Sequence, residues 1–438
     1  MSIEWITILM FGSMIVMLLL GLPLAFVTGL IAAVFGMALF GPKSMLLISS
    51  RIYSFMNEYA LVSVPMFIMM ASIMERSGVA KDLFDAMRVW AGRLPGGLAI
   101  QTMVAATIMG AMTGIIGGEI VLLGLVALPQ MLRLGYDRKL AIGTICAGGS
   151  LGTMIPPSIV LVIYGLTVNV SIGDLFAANV IPGLMMSGIY MLYIFIRCRL
   201  DPTLGPSAPE HERNIPLAEK LRLLKGLVLP GVVAGSVLGT IYTGIASVTE
   251  AAGMGVVGTL FAALVRRELN WSMLRDSLLQ TMSACGVLLW VSFGATAMIG
   301  VYNLAGGPSF VRTLMIGLGV EPIVVILIMM AILIVLGCLM DWIGICLLTM
   351  PIFVPIIKAL GYDPIWFGVL FCMNMQISYL SPPFGPAAFY LKGVAPPDIS
   401  LNEIFSALWP FMGLQIISLA IVMSFPKIAL WLPGTMVR

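Results

Sequence analysis

Long apolar segments separated by short polar breaks follow one another along the whole chain. Many of them reach the roughly 20 residues that a helix needs to cross a bilayer. Several are longer than one crossing requires and contain Gly and Pro, which predicts helices interrupted inside the membrane. The segments lie near 3–20, 24–40, 59–74, 98–129, 140–168, 175–196, 226–242, 247–265, 278–302, 322–357, 365–391 and 404–432. The pattern predicts an all-α, polytopic membrane protein.

The composition supports this prediction. Of the 438 residues 60% are hydrophobic and 10% are charged, with a mean hydropathy of +1.08, whereas soluble domains carry about 25% charged residues. These values exclude a disordered chain, a nucleic-acid-binding module, a secreted disulfide scaffold and a cytosolic enzyme. The six cysteines show no metal-ligand spacing and are expected to be reduced apolar residues. The single histidine, His211, lies in the most polar loop, so we expect no histidine-based metal site.

Two polar breaks help to orient the chain. Residues 75–95 mix charged and apolar positions, which predicts an amphipathic arm helix at the membrane interface. Residues 197–225 carry six basic residues, so the positive-inside rule predicts a cytoplasmic linker there, and Arg266 with Arg267 marks a second cytoplasmic connection. The first apolar segment has no cleavage-site pattern and is expected to be a retained transmembrane segment.

The two halves of the chain share a sequence pattern when they are aligned so that Asp137 is paired with Asp363. In this alignment nine of the residues in 128–164 are identical to their partners in the second half. The motif Leu-Gly-Tyr-Asp ends at each of these aspartates, and Pro-Pro occurs at 156–157 and 382–383. Slightly later, Ser171 and Ser400 are each followed three residues on by an acidic residue, which predicts a capping box at a helix start. The pattern predicts a duplication, with residues 1–196 and 226–438 as the two repeats.

Each repeat contains a Gly/Ser-rich patch or its equivalent, then Pro-Pro, between apolar runs. Irregular backbone at membrane depth must line a cavity enclosed by protein. We therefore predict a re-entrant helical hairpin near 138–165 and another near 364–391, each followed by a broken helix. Hairpins that enter from opposite faces would make the repeats inverted, and paired interrupted segments are typical of a secondary transporter's binding site. Two ordinary Pro-kinked helices remain the alternative.

The hairpin tips and the breaks after them supply candidate substrate-facing residues. A half-helix offers free carbonyl groups to a cation at its end and free N–H groups to an anion at its start. The candidates are Gly149, Ser150, Pro157, Ser158, Thr167, Asn169, Pro382, Pro383 and Lys392. Simple surface loops are the alternative for the breaks, and a snorkelling side chain is the alternative for the lysine.

Three acidic residues lie within apolar runs, where charge is costly and often functional. They are Glu119, Glu250 and Asp341. Each of them could bind a coupling ion or proton, or could instead form a buried hydrogen-bonded brace or lie at the membrane interface. Glu250 follows a Thr/Ser-rich break, which favours a role in helix N-capping. The sequence contains no nucleophile–base arrangement, phosphate-binding loop or nucleotide motif, so we predict neither an enzyme nor an ATP-driven pump.

Five stretches, 110–119, 134–159, 241–258, 340–364 and 373–400, resemble the large membrane (permease) subunit of the tripartite ATP-independent periplasmic (TRAP) transporters. The similarity extends along essentially the whole chain. The second hairpin is most similar to the dicarboxylate-type branch of the family.

This resemblance implies a multi-pass subunit of the bacterial inner membrane that works with a small four-helix membrane subunit and a periplasmic solute-binding protein. It implies import of a small carboxylate, commonly a C4-dicarboxylate, with sodium as the coupling ion, no other cofactor and no nucleic-acid partner. The hairpins would move like an elevator against a scaffold. A standalone sodium/anion symporter of the same superfamily is the main alternative, and an intramembrane enzyme or a passive channel is a minor one.

The resemblance also implies two sodium sites held largely by backbone carbonyls. The first comprises Met112, Thr113, Gly152, Ile155 and Pro156, and the second comprises Gly337, Ser378, Ser381 and Phe384. The repeat offset pairs Gly152 with Ser378 and Ile155 with Ser381, which makes the two sites partly equivalent. Strict symmetry ends where Ser158 is paired with Phe384.

Overall fold

The computed structural model describes residues 1–90, 94–114, 116–207, 216–317 and 319–436. These residues form helices and connecting turns, without a β-strand. Among them, six helices are long and apolar enough to cross a membrane: Tyr59–Arg76, Ile172–Leu200, Val248–Val265, Trp271–Leu304, Trp342–Ala359 and Leu401–Ser424. The predicted all-α polytopic fold is confirmed. His211, with the rest of 208–215 in the predicted linker, and 91–93 in the predicted arm lie outside the described residues.

The first half contains ten α-helices among the described residues. They are α1 (Ile3–Leu19), α2 (Leu24–Phe40), α3 (Ser44–Met56), α4 (Ser63–Arg76), α5 (Val79–Arg88), α6 (Gly97–Thr113), α7 (Gly118–Arg133), α8 (Arg138–Ser150), α9 (Ile159–Val168) and α10 (Ile172–Leu200). Short 3₁₀ turns at Tyr59–Val62 and Leu151–Thr153 precede α4 and follow α8.

Ten further α-helices are described in the second half. They are α11 (Leu217–Tyr242), α12 (Val248–Val265), α13 (Trp271–Leu304), α14 (Gly307–Gly317), α15 (Pro322–Gly337), α16 (Trp342–Ala359), α17 (Pro364–Leu380), α18 (Pro386–Lys392), α19 (Leu401–Ser424) and α20 (Lys427–Leu430). A 3₁₀ turn at Pro433–Thr435 follows.

The helix bounds of the second half follow those of the first at the offset that pairs Asp137 with Asp363. In each half one helix (α6, α15) precedes a break, a second (α7, α16) follows it, and a third (α8, α17) leads to a Pro-Pro turn. Both Pro-Pro peptide bonds are cis. The clearest difference is α13, which is continuous over 34 residues where the first half has α3, a turn and α4. The inverted orientation of the repeats stays a prediction.

The repeated turn before each hairpin folds as its residue types dictate. Gly135 and Gly361 have φ of +80° and +83°, in the left-handed region that glycine enters at little cost. Two residues later, Asp137 accepts a hydrogen bond from a backbone N–H of α8 at 2.9 Å, and Asp363 accepts one from α17 at 2.7 Å. Glycine therefore ends the preceding helix and aspartate begins the next one in both halves.

Serine caps begin the helices that follow the hairpins. The hydroxyl oxygens of Ser171 and Ser400 accept hydrogen bonds from backbone N–H groups of α10 and α19 at 3.1 and 3.2 Å. A complete capping box, with a hydrogen bond in each direction, joins Ser247 and Glu250 at the start of α12. Glu250 thus makes the N-capping contact that its sequence context favours.

The helices pack in two groups. The scaffold group comprises α2, α3, α4, α11, α12 and α13, in which α13 runs along α2 and α4, and α12 packs on α4 and α11. The hairpin group comprises α6–α10 and α15–α19, in which α8 packs on α6, α7 and α19, and α17 packs on α15 and α19. Each repeat contributes to both groups, which meet where α13 contacts α16 and α4 contacts α6.

The arm helix α5 links the two groups and is shorter than the predicted 75–95. It packs on α6 and α11. Its Asp82 pairs with Arg266 at the end of α12, with Nη2 and Oδ2 2.6 Å apart. Since the Arg266 side chain is only 17% exposed, this ion pair is partly shielded from solvent.

Packing between α8 and α19 depends on a glycine. A Cβ at Gly143 would lie 2.8 Å from the carbonyl oxygen of Ala407 and against the ring of Phe411. By contrast, a Cβ at Gly413, which lies in α19, would have nothing within 4 Å.

We expect Gly143→Ala to lower the free energy of unfolding by about 1–3 kcal/mol, because the added methyl group overpacks the interface. The matched change Gly413→Ala should be neutral or stabilising by up to about 1 kcal/mol, since alanine favours a helix more than glycine does. Thermal unfolding of the purified variants in detergent measures both effects. A Gly143→Ala variant as stable as the unmodified chain would contradict the close α8–α19 contact.

Candidate functional site

The first helix break lies between α6 and α7, against the tip of the first hairpin. Gly114 and Gly117 have φ of +66° and +126°. The carbonyl oxygen of Gly114 accepts a hydrogen bond from the N–H of Ile159 at 3.3 Å, which ties the break to the start of α9. A side chain at Gly114 would collide with the carbonyl oxygen of Pro157. The break therefore needs glycine both for its backbone angle and for this approach.

The residues predicted for the first sodium site come together at this break. They are Met112 and Thr113 at the end of α6, and Gly152, Ile155 and Pro156 in the buried hairpin tip. A Cβ at Gly110 would lie 3.0 Å from the Cα of Gly152, so the backbones of α6 and the tip are in direct contact. Their role in binding sodium stays a prediction.

The second break, between α15 and α16, contacts the end of α17. The Ser378 hydroxyl occupies the space that a side chain at Gly337 would need. Cys338 Sγ lies 3.6 Å from Ser381 Oγ, and Ser381 Oγ donates to the carbonyl oxygen of Ser378 at 3.2 Å. Three of the four residues predicted for the second site are thus adjacent, whereas the side chain of the fourth, Phe384, is 37% exposed.

The two hairpins are joined at Thr153 in the first tip. Gln376 Nε2 of α17 donates to Thr153 Oγ1 at 2.8 Å. The carbonyl oxygen of Thr153 accepts from Ser158 Oγ and lies 3.4 Å from Cys372 Sγ. Since all of these residues are buried, one threonine carries contacts from both hairpins inside the protein.

A pocket of about 420 Å³ lies between the scaffold and hairpin groups, beside both breaks. Among the described residues its polar lining comprises Thr153, Gln280, Ser283, Asp341 and Tyr390, and its apolar lining includes Ile68, Ile159, Val160, Val287, Leu288, Trp342 and Ile343. Within the described part of the chain, neither Lys nor Arg lines it. An apolar wall with a few convergent polar groups is typical of a small-molecule site.

A polar network extends from the pocket into the scaffold group. Gln280 Oε1 accepts hydrogen bonds from Ser72 Oγ at 2.9 Å and from Arg76 Nη2 at 3.0 Å. Arg76 also lies 3.9 Å from a carboxylate oxygen of Asp276. Among the described residues, the guanidinium is hydrogen-bonded to the lining through Gln280, and the nearby carboxylate of Asp276 offsets its charge.

None of the nine predicted substrate-facing residues lines this pocket. The hydroxyls of Ser150 and Thr167 donate to carbonyl oxygens of their own helices at 2.9 and 2.7 Å. A Cβ at Gly149 would lie 3.1 Å from the backbone nitrogen of Ile120, so this glycine serves close helix packing.

The other predicted substrate-facing residues also lie elsewhere. Pro157 and Ser158 are buried inside the first tip, Pro382 is half-buried and Pro383 is exposed at the second tip, and Asn169 ends α9 in an exposed left-handed conformation. Lys392 Nζ donates to the carbonyl oxygen of Ile399 at 2.6 Å. A local backbone partner therefore holds the lysine that was expected to attract an anion.

The three acidic residues occupy different environments. Glu119 is 1% exposed and accepts a hydrogen bond from the Thr113 hydroxyl through Oε1. Asp341 lines the pocket and begins α16, with Oδ2 3.4 Å from the N–H of Ile343. Glu250 is exposed in its capping box. Two of the three thus lie at the helix breaks.

Sequence reasoning missed most of the pocket's polar lining. Gln280 and Ser283 are polar positions in the apolar segment near 278–302, which is a usable signal. Thr153 lies in the Gly/Ser-rich patch, and Tyr390 repeats Tyr164 at the offset. No feature of the sequence placed these positions on one cavity.

Apart from Cys338 Sγ, the donor groups described at the two breaks are oxygens. All six cysteines are free, as predicted, and the described residues contain no cluster of three or more His, Cys, Asp or Glu side chains. Hydroxyl, carbonyl and carboxylate oxygens suit a hard cation rather than a transition metal. The residues at the breaks therefore fit an alkali cation chemically.

Paired helix breaks, paired Pro-Pro hairpins and a pocket between two helix groups define a membrane transport protein. A sequence profile of the family "Tripartite ATP-independent periplasmic transporter, DctM component" matches residues 11–428. The chain belongs to this family and is a TRAP transporter large permease subunit. It is a multi-pass protein of the bacterial inner membrane and not an enzyme.

Curated relatives cover nearly the whole chain. The C4-dicarboxylate TRAP transporter large permease protein DctM of Pseudomonas aeruginosa is 31% identical over 90% of this chain and 91% of its own length. DctM of Vibrio cholerae is 30% identical, with 99% and 98% covered. The ectoine/5-hydroxyectoine permease UehC of Ruegeria pomeroyi is also 30% identical, with 96% and 97% covered. The family is therefore shared by transporters of different solutes.

Among solved structures, the Alcanivorax borkumensis YdaH transporter is similar in fold. The TM-score is 0.66 at 14% sequence identity, and the match covers 96% of this chain and 99% of that one. At this identity the likeness concerns the fold alone.

A substitution at Gly114 tests the geometry of the first break. We expect Gly114→Ala to lower uptake by at least about tenfold, because the methyl group meets the Pro157 carbonyl and displaces the tip from the break. Gly41→Ala is the matched control, since Gly41 also has a positive φ (+70°) but nothing within 4 Å of its Cβ position. Uptake by reconstituted variants measures the effect. Equal losses in both variants would attribute it to backbone strain instead.

Proposed function

We propose that this chain is the sodium-coupled permease subunit of an importer for a small organic acid delivered by a periplasmic binding protein. The observation that carries the proposal is the pocket beside both breaks, which contains one carboxylate and, in the described part of the chain, no basic side chain. A carboxylate solute in such a pocket needs positive charge from a source other than Lys or Arg.

Helix starts are one such source. Ile159 and Val160 begin α9, and Trp342 and Ile343 begin α16; all four line the pocket. The first turn of a helix carries N–H groups without partners in the helix and the positive end of its dipole. The N–H of Ile159 already donates to Gly114 and that of Ile343 to Asp341, so it is the dipoles of the two starts that favour binding of a carboxylate in the pocket.

Sodium ions are the second source. Asp341 already places a negative charge in the pocket, and a carboxylate solute adds at least one more. Cations at the two breaks would offset these charges, and the ends of α6 and α15 offer the free carbonyls that half-helices use for this purpose. Solute binding and cation binding would then be coupled by charge.

The family supports the proposed solute class and partners. Relatives are named for C4-dicarboxylate and for ectoine, and both kinds of solute carry a carboxylate. The tripartite nature stated in the family name supports a small membrane subunit and a periplasmic solute-binding protein as partners. We propose a C4-dicarboxylate-like solute.

An elevator movement fits the way in which the pocket is built. Its lining comes from both groups, with Ile68, Gln280 and Ser283 from the scaffold, and with both breaks and the first tip from the hairpin group. A displacement of the hairpin group against the scaffold would carry the breaks and tips together, since Thr153 and Gln376 join the two hairpins.

Uptake of radiolabelled succinate and related carboxylates into proteoliposomes tests the proposal. An inward sodium gradient is varied, and the co-encoded small subunit and binding protein are added or omitted. We expect accumulation only with sodium and both partners present. Sodium-driven accumulation by this chain alone would indicate a standalone symporter, and equilibration without accumulation would exclude coupling.

The link between the hairpins is expected to affect solute binding. We predict that Thr153→Val raises the solute concentration for half-maximal uptake by roughly tenfold, because the buried Gln376 amide loses its acceptor. Thr153→Ser keeps the hydroxyl and should remain within about twofold of the unmodified chain. Initial uptake rates over a solute series measure this. Equal behaviour of the two variants would argue against a role for the hydroxyl.

A further inference from the structure

Glu119 carries a buried carboxylate oxygen that has no hydrogen-bond partner within the described part of the chain. The residue is 1% exposed, and Oε1 accepts from the Thr113 hydroxyl. The unpartnered oxygen is Oε2, which is fully enclosed. A buried carboxylate with an unmatched oxygen is strongly unfavourable unless a cation or proton accompanies it.

This carboxylate lies directly against the first hairpin tip. A Cβ at Gly152 would be 2.8 Å from Glu119 Oε2, so only glycine at this position admits the carboxylate. Gly110 of α6 contacts the same glycine from the adjacent side. Glu119 therefore lies among the residues predicted for the first sodium site.

Glu119 lies between the positive end of one helix dipole and the negative end of another. It stands in the first turn of α7, where the helix dipole stabilises the ionised carboxylate. The end of α6 beside it presents carbonyl oxygens at the negative end of a dipole. An ionised carboxylate next to converging carbonyls is an arrangement that a cation stabilises.

A small cavity beside Glu119 has room for one ion. Its volume is about 20 Å³, and its lining includes Glu75, Met112, Thr113 and Glu119. That volume is close to the minimum of about 10–15 Å³ that a single water needs, so it is too small for an organic solute. Glu75 adds a second carboxylate to the lining, and its Oε2 accepts a hydrogen bond from Gln280 Nε2 at 3.5 Å.

The second half does not repeat this carboxylate. At the offset that pairs Asp137 with Asp363, Glu119 is paired with Ile345, whose side chain is buried and apolar. Ser378 and Ser381 at the second break supply neutral oxygens. The acidic residues at the two breaks are therefore placed differently: Glu119 lies against the first tip, whereas Asp341 begins α16 and lines the pocket.

We propose that Glu119 Oε2 is a direct ligand of the cation at the first site, together with Thr113 Oγ1 and carbonyl oxygens of the α6 end and the hairpin tip. The inference rests on the proposed sodium coupling and assigns one of its ligands.

Thermal unfolding of the purified full-length chain in lipid nanodiscs tests the assignment. Sodium chloride is titrated against choline chloride at constant ionic strength, and the midpoint of stabilisation is recorded. We expect Glu119→Gln to raise the sodium concentration at the midpoint by at least about tenfold, because the amide carries no charge. In choline alone Glu119→Gln should be as stable as the unmodified chain or more so, since an uncompensated buried charge has been removed.

Two further variants keep the test decisive. Glu321→Gln is the matched control: Glu321 is exposed and makes no side-chain cap contact, so its midpoint should not change. Glu119→Asp retains the charge with a shorter reach and should give a smaller shift than the glutamine variant. It also provides a measurement should Glu119→Gln not fold.

The outcomes separate the two claims. If sodium stabilises the unmodified chain and both Glu119→Gln and Glu119→Asp show the same midpoint, the ligand assignment is overturned. Sodium binding itself would still stand. No sodium-dependent stabilisation of the unmodified chain would overturn the proposed sodium coupling, and the ligand with it. A Glu119→Gln variant that is destabilised equally with and without sodium would show a structural brace and would also overturn the assignment.

Discussion

The structure depends on one constraint: backbone that leaves a helix at membrane depth must find its hydrogen-bond partners inside the protein. The first break meets this constraint at the first hairpin tip, and the N–H groups of the second break bond to carbonyl groups at the end of α15. The Gly114 carbonyl accepts from the start of α9, and the second break packs on the end of α17. Glycine at the contacts lets backbone meet backbone. Whatever opens a break must therefore also move a tip, and under the proposed function this would link cation binding at the breaks to solute binding in the pocket.

Local chemistry explains why much of the fold was predictable from the sequence. The turn that ends at Asp137, its copy at Asp363 and the serine caps each specify a helix boundary through a few neighbouring residues, and the structure contains all of them. The fixed offset between the two aspartates then relates the two sets of helices. The grouping into scaffold and hairpin helices was less accessible, because it depends on contacts such as α13 with α2 that no local pattern encodes.

The lining of the pocket was predicted only in part, and the reason is geometric. The residues of the first predicted sodium site are brought together because they flank one break and one tip. The substrate-facing candidates were chosen by proximity to those tips. Ser150 and Thr167, however, bond to their own helices, and Lys392 bonds to a nearby carbonyl. The pocket is instead completed by Gln280 and other groups of α13, a helix that carries no hairpin motif.

The two repeats provide equivalent helix breaks and hairpins, but they differ in the residues that stand at these positions. In the first half the tip is buried and Glu119 stands beside it; in the second half Phe384 is 37% exposed and the position equivalent to Glu119 is apolar. A strictly symmetric protein would present two equal cation sites and two equally enclosed tips. The acidic residues are also placed differently, since Glu119 lies against the first tip and Asp341 lines the pocket, and unequal burial leaves one tip more accessible than the other. Ordered binding needs such inequality, since identical sites would fill in no preferred sequence.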